Sequence, residues 1–332
     1  MKQYSTLKKL SEKLGLSIST VSRALKDHPD ISPATRKRVK DLAELMEYEP
    51  NTFALKLRSN KSKIIGVIVP FFQNLFYEYF IAALDEEVKK EGYSLLILQS
   101  GESVEAELKN LDIIKKNRVD LLFVSTTENT ENIEPLLKLA QIGIPVVFFD
   151  RVPGFEDCDK IRFADSEAGT MAAKRLIKSG KKNILCLFTD NPNLNIVNKR
   201  LTAFRETYKK LTPGARLESH FHADRTAGEK IILKALQKKN PSDALFCIGD
   251  NSMIWSLKTL QKKGLRVPVD IGMLAISNGF IPTLFSPAIT HIVTNGYQSG
   301  KLAFTRLREI LEGETSTKEL VIDAIMVEGG SL

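Results

Sequence analysis

Short apolar runs alternate with longer amphipathic stretches from residue 64 onwards, and this alternation restricts the fold more than any other feature. The apolar runs, which predict strands, are Ile64–Val69, Ser94–Leu98, Leu121–Val124, Val146–Phe149, Ile161–Phe163, Ile184–Phe188, Ala244–Ile248, Met273–Ile276 and Ile289–Val293. The amphipathic stretches, which predict helices, include Phe76–Glu91, Glu105–Asn117, Glu167–Ser179, Lys199–Leu211, Thr226–Lys239 and Gln298–Leu311. Strands that alternate with helices form α/β domains with buried parallel sheets. So many strands fit two lobes better than one sheet.

Length and composition indicate a globular protein of about two domains, because 332 residues exceed the roughly 150 expected for one. Hydrophobic residues make up 43% and charged residues 27%, which excludes a disordered chain. The longest apolar run, 64 to 72, has nine residues, whereas a membrane-spanning helix needs about 20. The N-terminus begins no apolar signal segment, and Cys158, Cys186 and Cys247 form no CxxC motif. We therefore expect a cytoplasmic protein with no membrane partner.

The positive charge is concentrated at the N-terminus. Of the net charge of +8, the first 63 residues contribute +7, with 14 Lys or Arg and 7 Asp or Glu. The remaining residues carry 34 basic and 33 acidic side chains. A basic segment joined to a nearly neutral one predicts a head that binds a polyanion and a body with a separate function.

The basic segment has the pattern of three short helices. Their predicted N-caps are Thr6, Ser17 and Ser32, the last followed by Pro33 at the first helical position. Their apolar faces consist of Leu7, Leu10 and Leu14, then Val21, Ala24 and Leu25, then Val39, Leu42, Ala43 and Met46. Gly15 supplies the turn between the first two helices. This arrangement predicts a helix-turn-helix.

The second helix presents Ile18, Ser19, Ser22 and Arg23 on its outer face. An arginine can bond guanine O6 and N7 in the major groove, and an apolar side chain can contact a thymine methyl group. Hydroxyl groups suit phosphates. The outer face therefore predicts DNA recognition, with a generic helical domain whose charges are merely solvated as the alternative.

The chain closely resembles the lactose-repressor (LacI-type) family in several places. These are the stretch from Thr6 to Leu25, which includes Thr20-Val21-Ser22-Arg23-Ala24-Leu25, then Tyr48-Glu49-Pro50-Asn51, Leu57-Arg58-Ser59 and Lys63-Ile64-Ile65-Gly66-Val67-Ile68-Val69-Pro70. The segment 52–59 between them is too short to hold a helix alone in water. We expect it to order only on binding.

The resemblance implies a homodimer that binds palindromic double-stranded operator DNA. Ile18, Ser19 and Arg23 fall where the family reads bases, and Thr6, Ser17, Thr20 and Ser22 fall where it contacts the backbone. Leu57 falls where the family inserts a leucine into the minor groove, a wedge that unstacks and bends DNA. Its neighbours Lys56 and Arg58 suit phosphates, and Asn51 completes the expected DNA contacts. The alternative for Leu57 is a linker residue that packs on the body.

The resemblance also covers the body and implies its fold class. This is α/β: a small all-α helix-turn-helix head precedes a two-lobed, periplasmic-binding-protein-like body with parallel sheets. The implied domains are a DNA-binding head (1–49), a hinge helix and linker (50–61), and an effector-binding and dimerisation body (62–332). Lobe 1 would comprise about 62–163 and 294–319, and lobe 2 about 164–291 and 320–332. The chain carries no leucine-heptad tail, which favours a dimer over a tetramer.

Several polar and aromatic residues follow predicted strands, and ligands of open α/β sheets bind beyond the carboxyl ends of strands. The positions that match the effector pocket of the family are Phe76, Tyr77, Asp150, Arg151, Arg200, Phe221, Asp250 and Asn278. Carboxylates, amides and guanidinium groups bond sugar hydroxyls. The resemblance implies a small-molecule effector, by default a sugar or sugar derivative, with purines and phosphoproteins as alternatives.

No catalytic, cofactor or metal site is predicted. No GxGxxG motif follows a predicted strand, as a nicotinamide enzyme would require. His220, His222 and Asp224 lie close in sequence, but no further ligands complete a metal site. We predict a transcriptional regulator, in particular a repressor. The alternatives are a solute-binding protein without DNA function and, third, a sugar-processing enzyme.

Overall fold

The computed structural model describes residues 6–48, 61–189 and 194–332. The chain divides into two compact units, Met1–Ser62 and Lys63–Leu332, called the head and the body below. Residues 50–60 of the predicted hinge and linker lie outside the described residues, and with them four predicted DNA contacts, Asn51, Lys56, Leu57 and Arg58.

The head contains helices α1 (Leu7–Leu14), α2 (Ile18–Leu25) and α3 (Pro33–Leu45). The predicted N-caps are observed: the side chains of Thr6, Ser17 and Ser32 each accept from a backbone N–H in the first turn. Gly15 ends α1 with a φ of 67°, a left-handed conformation that glycine adopts without strain. The core of the head consists of Leu10, Val21, Ala24, Val39 and Ala43.

The body alternates strands and helices, as the sequence predicts. In chain order its elements are β1 (Ile64–Val69), α4 (Leu75–Lys90), β2 (Ser94–Gln99), α5 (Val104–Asn117), β3 (Leu121–Val124), α6 (Glu134–Gln141), β4 (Val146–Phe149), β5 (Asp159–Phe163), α7 (Asp165–Lys178), β6 (Asn183–Phe188), α8 (Asn195–Leu211), β7 (Arg216–Phe221), α9 (Arg225–Leu236), β8 (Ala244–Ile248), α10 (Asp250–Lys262), β9 (Gly272–Ser277), β10 (Thr290–Val293), α11 (Gly296–Leu311), β11 (Glu319–Ile322) and β12 (Ile325–Val327). A short 3₁₀ helix spans Ile281–Leu284.

The strands form two six-stranded sheets. The first has the order β11-β5-β4-β3-β1-β2 and is parallel throughout. The second has the order β12-β10-β9-β8-β6-β7, in which only β12 runs antiparallel to its neighbour. The carboxyl ends of the parallel strands therefore share one edge in each sheet.

The last strands divide between the two sheets. Strand β11 pairs with β5, so residues 319–322 belong to the first sheet, although the sequence analysis assigned 320–332 to lobe 2. Strand β12 pairs with β10 in the second sheet. In the described part of the body the chain thus passes between the sheets three times, after β5, after β10 and after β11. The wider division into lobes stays a prediction.

Helices pack closely against each of the two sheets and against one another. Phe80 on α4 stacks on Phe149 of β4 with ring centroids 3.9 Å apart. In the second lobe, Phe204 on α8 stacks on Phe246 of β8 at 4.6 Å. Helices α7 and α8 approach so closely that a Cβ on Gly169 would lie 2.2 Å from the backbone oxygen of Arg200. A residue with a side chain at position 169 would therefore push α8 away from α7.

Candidate functional site

The outer face of α2 presents the side chains that the sequence predicts for base contacts. Ile18 is 48% exposed. Ser19 and Arg23 are also exposed, and the guanidinium of Arg23 lies 4.0 Å from the carboxylate of Asp30. The face is therefore largely exposed and carries one cationic side chain, which pairs with Asp30.

Hydroxyl groups cluster at the start of α2. The Ser17 Oγ lies 2.8 Å from both the Ser19 Oγ and the Thr20 Oγ1, and accepts from the Thr20 N–H at 3.1 Å. Thr6 is exposed and Ser22 is half-buried. A helix N-terminus with clustered hydroxyl groups favours a phosphate group.

The body contains a cavity of about 200 Å³. It lies where both sheets end at their carboxyl edges. Seven of the eight predicted effector residues line it: Phe76, Tyr77, Asp150, Arg151, Arg200, Asp250 and Asn278. Phe221, the eighth, is not among the lining residues. It ends the edge strand β7 with its side chain 46% exposed and its ring 6.2 Å from that of Phe188.

Further lining residues were not found from the sequence. They are Gln73, Asn74, Leu75, Thr189, Ile196, Gly249, Asn251, Ile254, Ile276, Ser277, Ile281 and Thr294. Most of them directly follow a strand or open a helix, which is the signal that could have identified them.

The Tyr77 hydroxyl holds Asp150 at the edge of the first sheet. The Tyr77 O–H donates to the Asp150 Oδ2 at 2.7 Å, and the Tyr77 oxygen also lies 3.0 Å from the Ser125 Oγ. Burial raises the pKa of Asp150 above its ordinary value. Its φ of 57° is a left-handed conformation that costs energy for a residue with a side chain. The fold therefore holds this carboxylate at the cavity against a conformational preference.

Both arginines at the cavity are bound to acidic partners. The Arg200 Nε donates to the Asp165 Oδ1 at 2.7 Å, and their side chains are only 8% and 3% exposed. The Arg151 Nη1 donates to Glu102. The Arg151 Nε is buried without a hydrogen-bond partner among the described residues. Neither Asp165 nor Glu102 was predicted as part of the site.

Hydrogen bonds connect Asp250 through Asn278 to Thr294, where the polypeptide leaves the second sheet after β10. Ser277 and the Asn278 amide both donate to the Asp250 carboxylate, the amide at 2.9 Å. The Thr294 hydroxyl donates to the Asn278 Oδ1 at 2.8 Å. Burial raises the pKa of Asp250. Asn278 thus positions Asp250, and it keeps one amide N–H and one oxygen lone pair for a ligand.

Two family profiles match the chain. The profile described as bacterial regulatory proteins, lacI family, matches residues 6–51, and the profile of a periplasmic binding protein domain matches residues 65–315. The chain belongs to the LacI family of bacterial regulatory proteins. As a LacI-family member it is a DNA-binding transcriptional regulator controlled by a ligand.

Relatives extend over nearly the whole chain. The HTH-type transcriptional repressor PurR of Vibrio atlanticus (strain LGP32) is 27% identical and covers 95% of each chain. A crystal structure of the Lac repressor dimer bound to operator and the anti-inducer ONPF matches with a TM-score of 0.84 at 19% identity, covering 99% of each chain. A LacI-family regulator from Enterococcus faecium with bound ribose matches with a TM-score of 0.71 at 19% identity, covering 81% of this chain and 98% of that one. At these identities the two structures show the fold alone.

The described residues contain neither a helix that could span a membrane nor a cluster of metal ligands. No helix among them has the length and hydropathy to cross a membrane. No group of three or more His, Cys, Asp or Glu residues among them could hold a metal ion. His222 is buried instead, with its Nε2 3.1 Å from the Ser252 Oγ and its Nδ1 3.2 Å from a backbone oxygen.

Proposed function

We propose that this LacI-family protein is a transcriptional repressor that binds a palindromic operator as a homodimer and responds to a sugar bound in the cavity of the body. It would act where the DNA is, in the cytoplasm, and without catalysing a reaction. One observation carries the proposal. In a chain of this family, α2 presents an exposed Ile18 and Arg23 on the face that a major groove would accept.

The DNA-binding role is tested with a gel shift on palindromes beside the gene for this protein. Arg23→Ala should cost about 1–3 kcal/mol on the operator and relax specificity at one base position. Arg38→Ala, an exposed arginine on α3, is the matched control and should leave that specificity unchanged. Equal weakening of operator and random DNA by Arg23→Ala would show that Arg23 does not read a base.

The predicted hinge residues extend this proposal. Lys56→Ala should weaken binding to all sequences alike and make the salt dependence shallower by about one phosphate contact. Leu57→Ala should reduce operator affinity strongly, random-DNA affinity little, and operator bending measurably, because a wedge acts only where it opens the groove. An operator that stays unbent in the wild-type complex would contradict the wedge.

The cavity supports the effector role. A ligand shifts the affinity for DNA only by its different affinity for two conformations of the body. The body has a cavity at the carboxyl edge of both sheets. Hydrogen bonds from Asp250 through Asn278 to Thr294 connect this cavity with a segment that passes from one sheet to the other. Asp150→Ala or Arg200→Ala should abolish the effect of a sugar on operator binding. Operator affinity without sugar should stay nearly unchanged. A normal sugar response in either variant would remove that residue from the site.

The rival function is that of a solute-binding protein, which would share the body. The bound ribose of the Enterococcus faecium neighbour supports a sugar ligand under either function. The basic head and its exposed α2 face support the regulator, because a plain solute carrier has no use for them. A chain that binds sugars but shifts no DNA would favour the rival.

A further inference from the structure

We propose that the cavity selects an uncharged, polyhydroxylated ligand and rejects the phosphorylated or carboxylated form of the same molecule. This proposal depends on the proposed role of the cavity as the effector site and names the chemical class of the effector. It follows from how the charged side chains around the cavity are paired.

The two cationic side chains at the cavity are already neutralised. Arg200 is bound to Asp165 at 2.7 Å in an ion pair that is almost completely buried. Arg151 is bound to Glu102, whose other oxygen accepts from the backbone N–H of Glu128 at 2.8 Å. A buried guanidinium that is paired in this way cannot exchange its partner for a ligand anion without leaving the carboxylate unpaired. Each positive charge at the cavity wall is therefore balanced by a carboxylate of the protein, while part of each guanidinium stays free to donate a hydrogen bond.

The two acidic side chains at the cavity make no ion pair. The hydrogen-bond partner of Asp150 is the Tyr77 hydroxyl, and those of Asp250 are the Ser277 hydroxyl and the Asn278 amide. In the described part of the body no lysine or arginine lies within ion-pair distance of either carboxylate. Two carboxylates without an ion-pair partner therefore remain at the cavity wall, beside two guanidinium groups that are already paired with other carboxylates. An anionic ligand would meet like charges in a partly buried space, where repulsion is poorly screened.

The polar groups that remain available match hydroxyl groups. The free lone pairs of Asp150 and Asp250 need donors, whereas the terminal nitrogens of Arg200, which have no protein acceptor among the described residues, need acceptors. A hydroxyl group donates and accepts, so a row of hydroxyls can satisfy both kinds of group. A phosphate only accepts and an ammonium only donates. The buried Arg151 Nε, which has no partner in the described structure, is a further donor of this kind.

The size and the apolar walls agree with a single sugar. The volume of about 200 Å³ lies below the roughly 300–1,000 Å³ of clefts for drug-sized ligands. Phe76, Ile196, Ile254 and Ile276 line the same space and offer apolar contacts to the carbon face of a sugar ring.

The test is isothermal titration of the full chain with ribose, xylose, glucose, galactose and fructose, and with ribose 5-phosphate, glucose 6-phosphate, fructose 6-phosphate and glucuronate. We expect at least one neutral sugar to bind, and its charged counterpart to bind roughly 100-fold more weakly or not at all. A charged form that binds as tightly as its neutral counterpart would overturn the proposal, as would a complete failure of the neutral sugars to bind.

A charge-removing variant tests the cause. Asp150→Asn combined with Asp250→Asn keeps the shape of both side chains and removes both unpaired negative charges. We expect inorganic phosphate to raise the melting temperature of this variant more than that of the wild type, since both carry the same head and differ only at the cavity. An equal rise in both proteins would contradict the proposal. If the double variant does not fold, Asp250→Asn alone is used and should show a smaller effect of the same sign.

The operator gel shift separates this proposal from the proposed function. A chain that binds its operator, responds to a sugar phosphate and ignores neutral sugars would remain a regulator and refute the selectivity. A chain that binds neutral sugars with the expected preference but no operator would refute the repressor function and leave the selectivity standing.

Discussion

Asp165→Asn tests whether the buried ion pair with Arg200 fixes the architecture of the cavity. Asp165 is the first residue of α7, and its side chain is 3% exposed, against 8% for that of Arg200. Removal of one partner from a buried ion pair costs about 3–5 kcal/mol, because the other charge stays buried without compensation. The asparagine oxygen can still accept from the Arg200 Nε, so we expect a loss of about 3 kcal/mol, near the lower end of that range.

The assay is thermal unfolding of the full chain without ligand. For domains of 150–250 residues, 1 kcal/mol corresponds to about 2–4 °C, so the melting temperature of the body should fall by roughly 6–12 °C. Glu105→Gln is the matched control. Glu105 also lies in the first turn of a helix and pairs with Lys109 at 2.7 Å, the same distance as in the buried pair, but both side chains are more than 70% exposed. The control should change stability by about 0.5 kcal/mol or less.

A double-mutant cycle with Arg200→Gln identifies the cause. If the unpaired buried charge causes the loss, Arg200→Gln should recover part of the stability that Asp165→Asn removes, because no charge is then left buried. Additive losses in the double variant, or a loss no larger than that of Glu105→Gln, would refute the reasoning.

Three further outcomes follow from the structure. Burial raises the pKa of Asp250, so protonation of this carboxylate stabilises the folded state as the pH falls through the raised pKa. Asp250→Asn should therefore increase the melting temperature at pH 7 and have less effect near pH 4. A pH series of thermal scans measures both effects. Gly169→Ala should cost about 1–3 kcal/mol or more and reduce sugar affinity in titrations, because the added methyl group would displace the backbone of Arg200, whereas Gly154→Ala, with open space around it, should be nearly neutral. Ser17→Ala should lower the stability of the head by about 1 kcal/mol in thermal scans followed by helicity, since the first turn of α2 loses its cap.

The elements that could be predicted from the sequence are those with a continuous apolar signal. All nine predicted strands are observed, with ends that differ by at most two residues. The strands that were missed, β7, β11 and β12, lie at sheet edges and are partly exposed. Strand β7 mixes polar with apolar residues, and the apolar runs within β11 and β12 are only three residues long. Helices α6 and α10 were not among the helices named from the sequence, and the buried face of α10 includes Ser252, Ser256 and Thr259, which obscures its apolar period.

The location of the cavity could be predicted from the sequence, but the pairing of the charged side chains around it could not. Residues after parallel strands meet at one edge, and seven of the eight predicted effector residues do line the cavity. Phe221 lies at the end of the edge strand β7 and does not line the cavity, so its contact with an effector stays a prediction. Asp165 was unremarkable in the sequence, since an acidic residue at a helix start is common.

The amino-acid sequence by itself determined the alternation of strands and helices, the three capped helices of the head and the types of side chain at the strand ends. Each of these features depends only on residues that are close together in the sequence. Only the tertiary structure decided which carboxylate neutralises which arginine. Asp165 and Arg200 are 35 residues apart and Glu102 and Arg151 are 49 apart, so their pairing depends on how helices and loops from different elements pack together. Because pairing determines which charges remain for a ligand, the chemical preference of the cavity is a property of the folded chain.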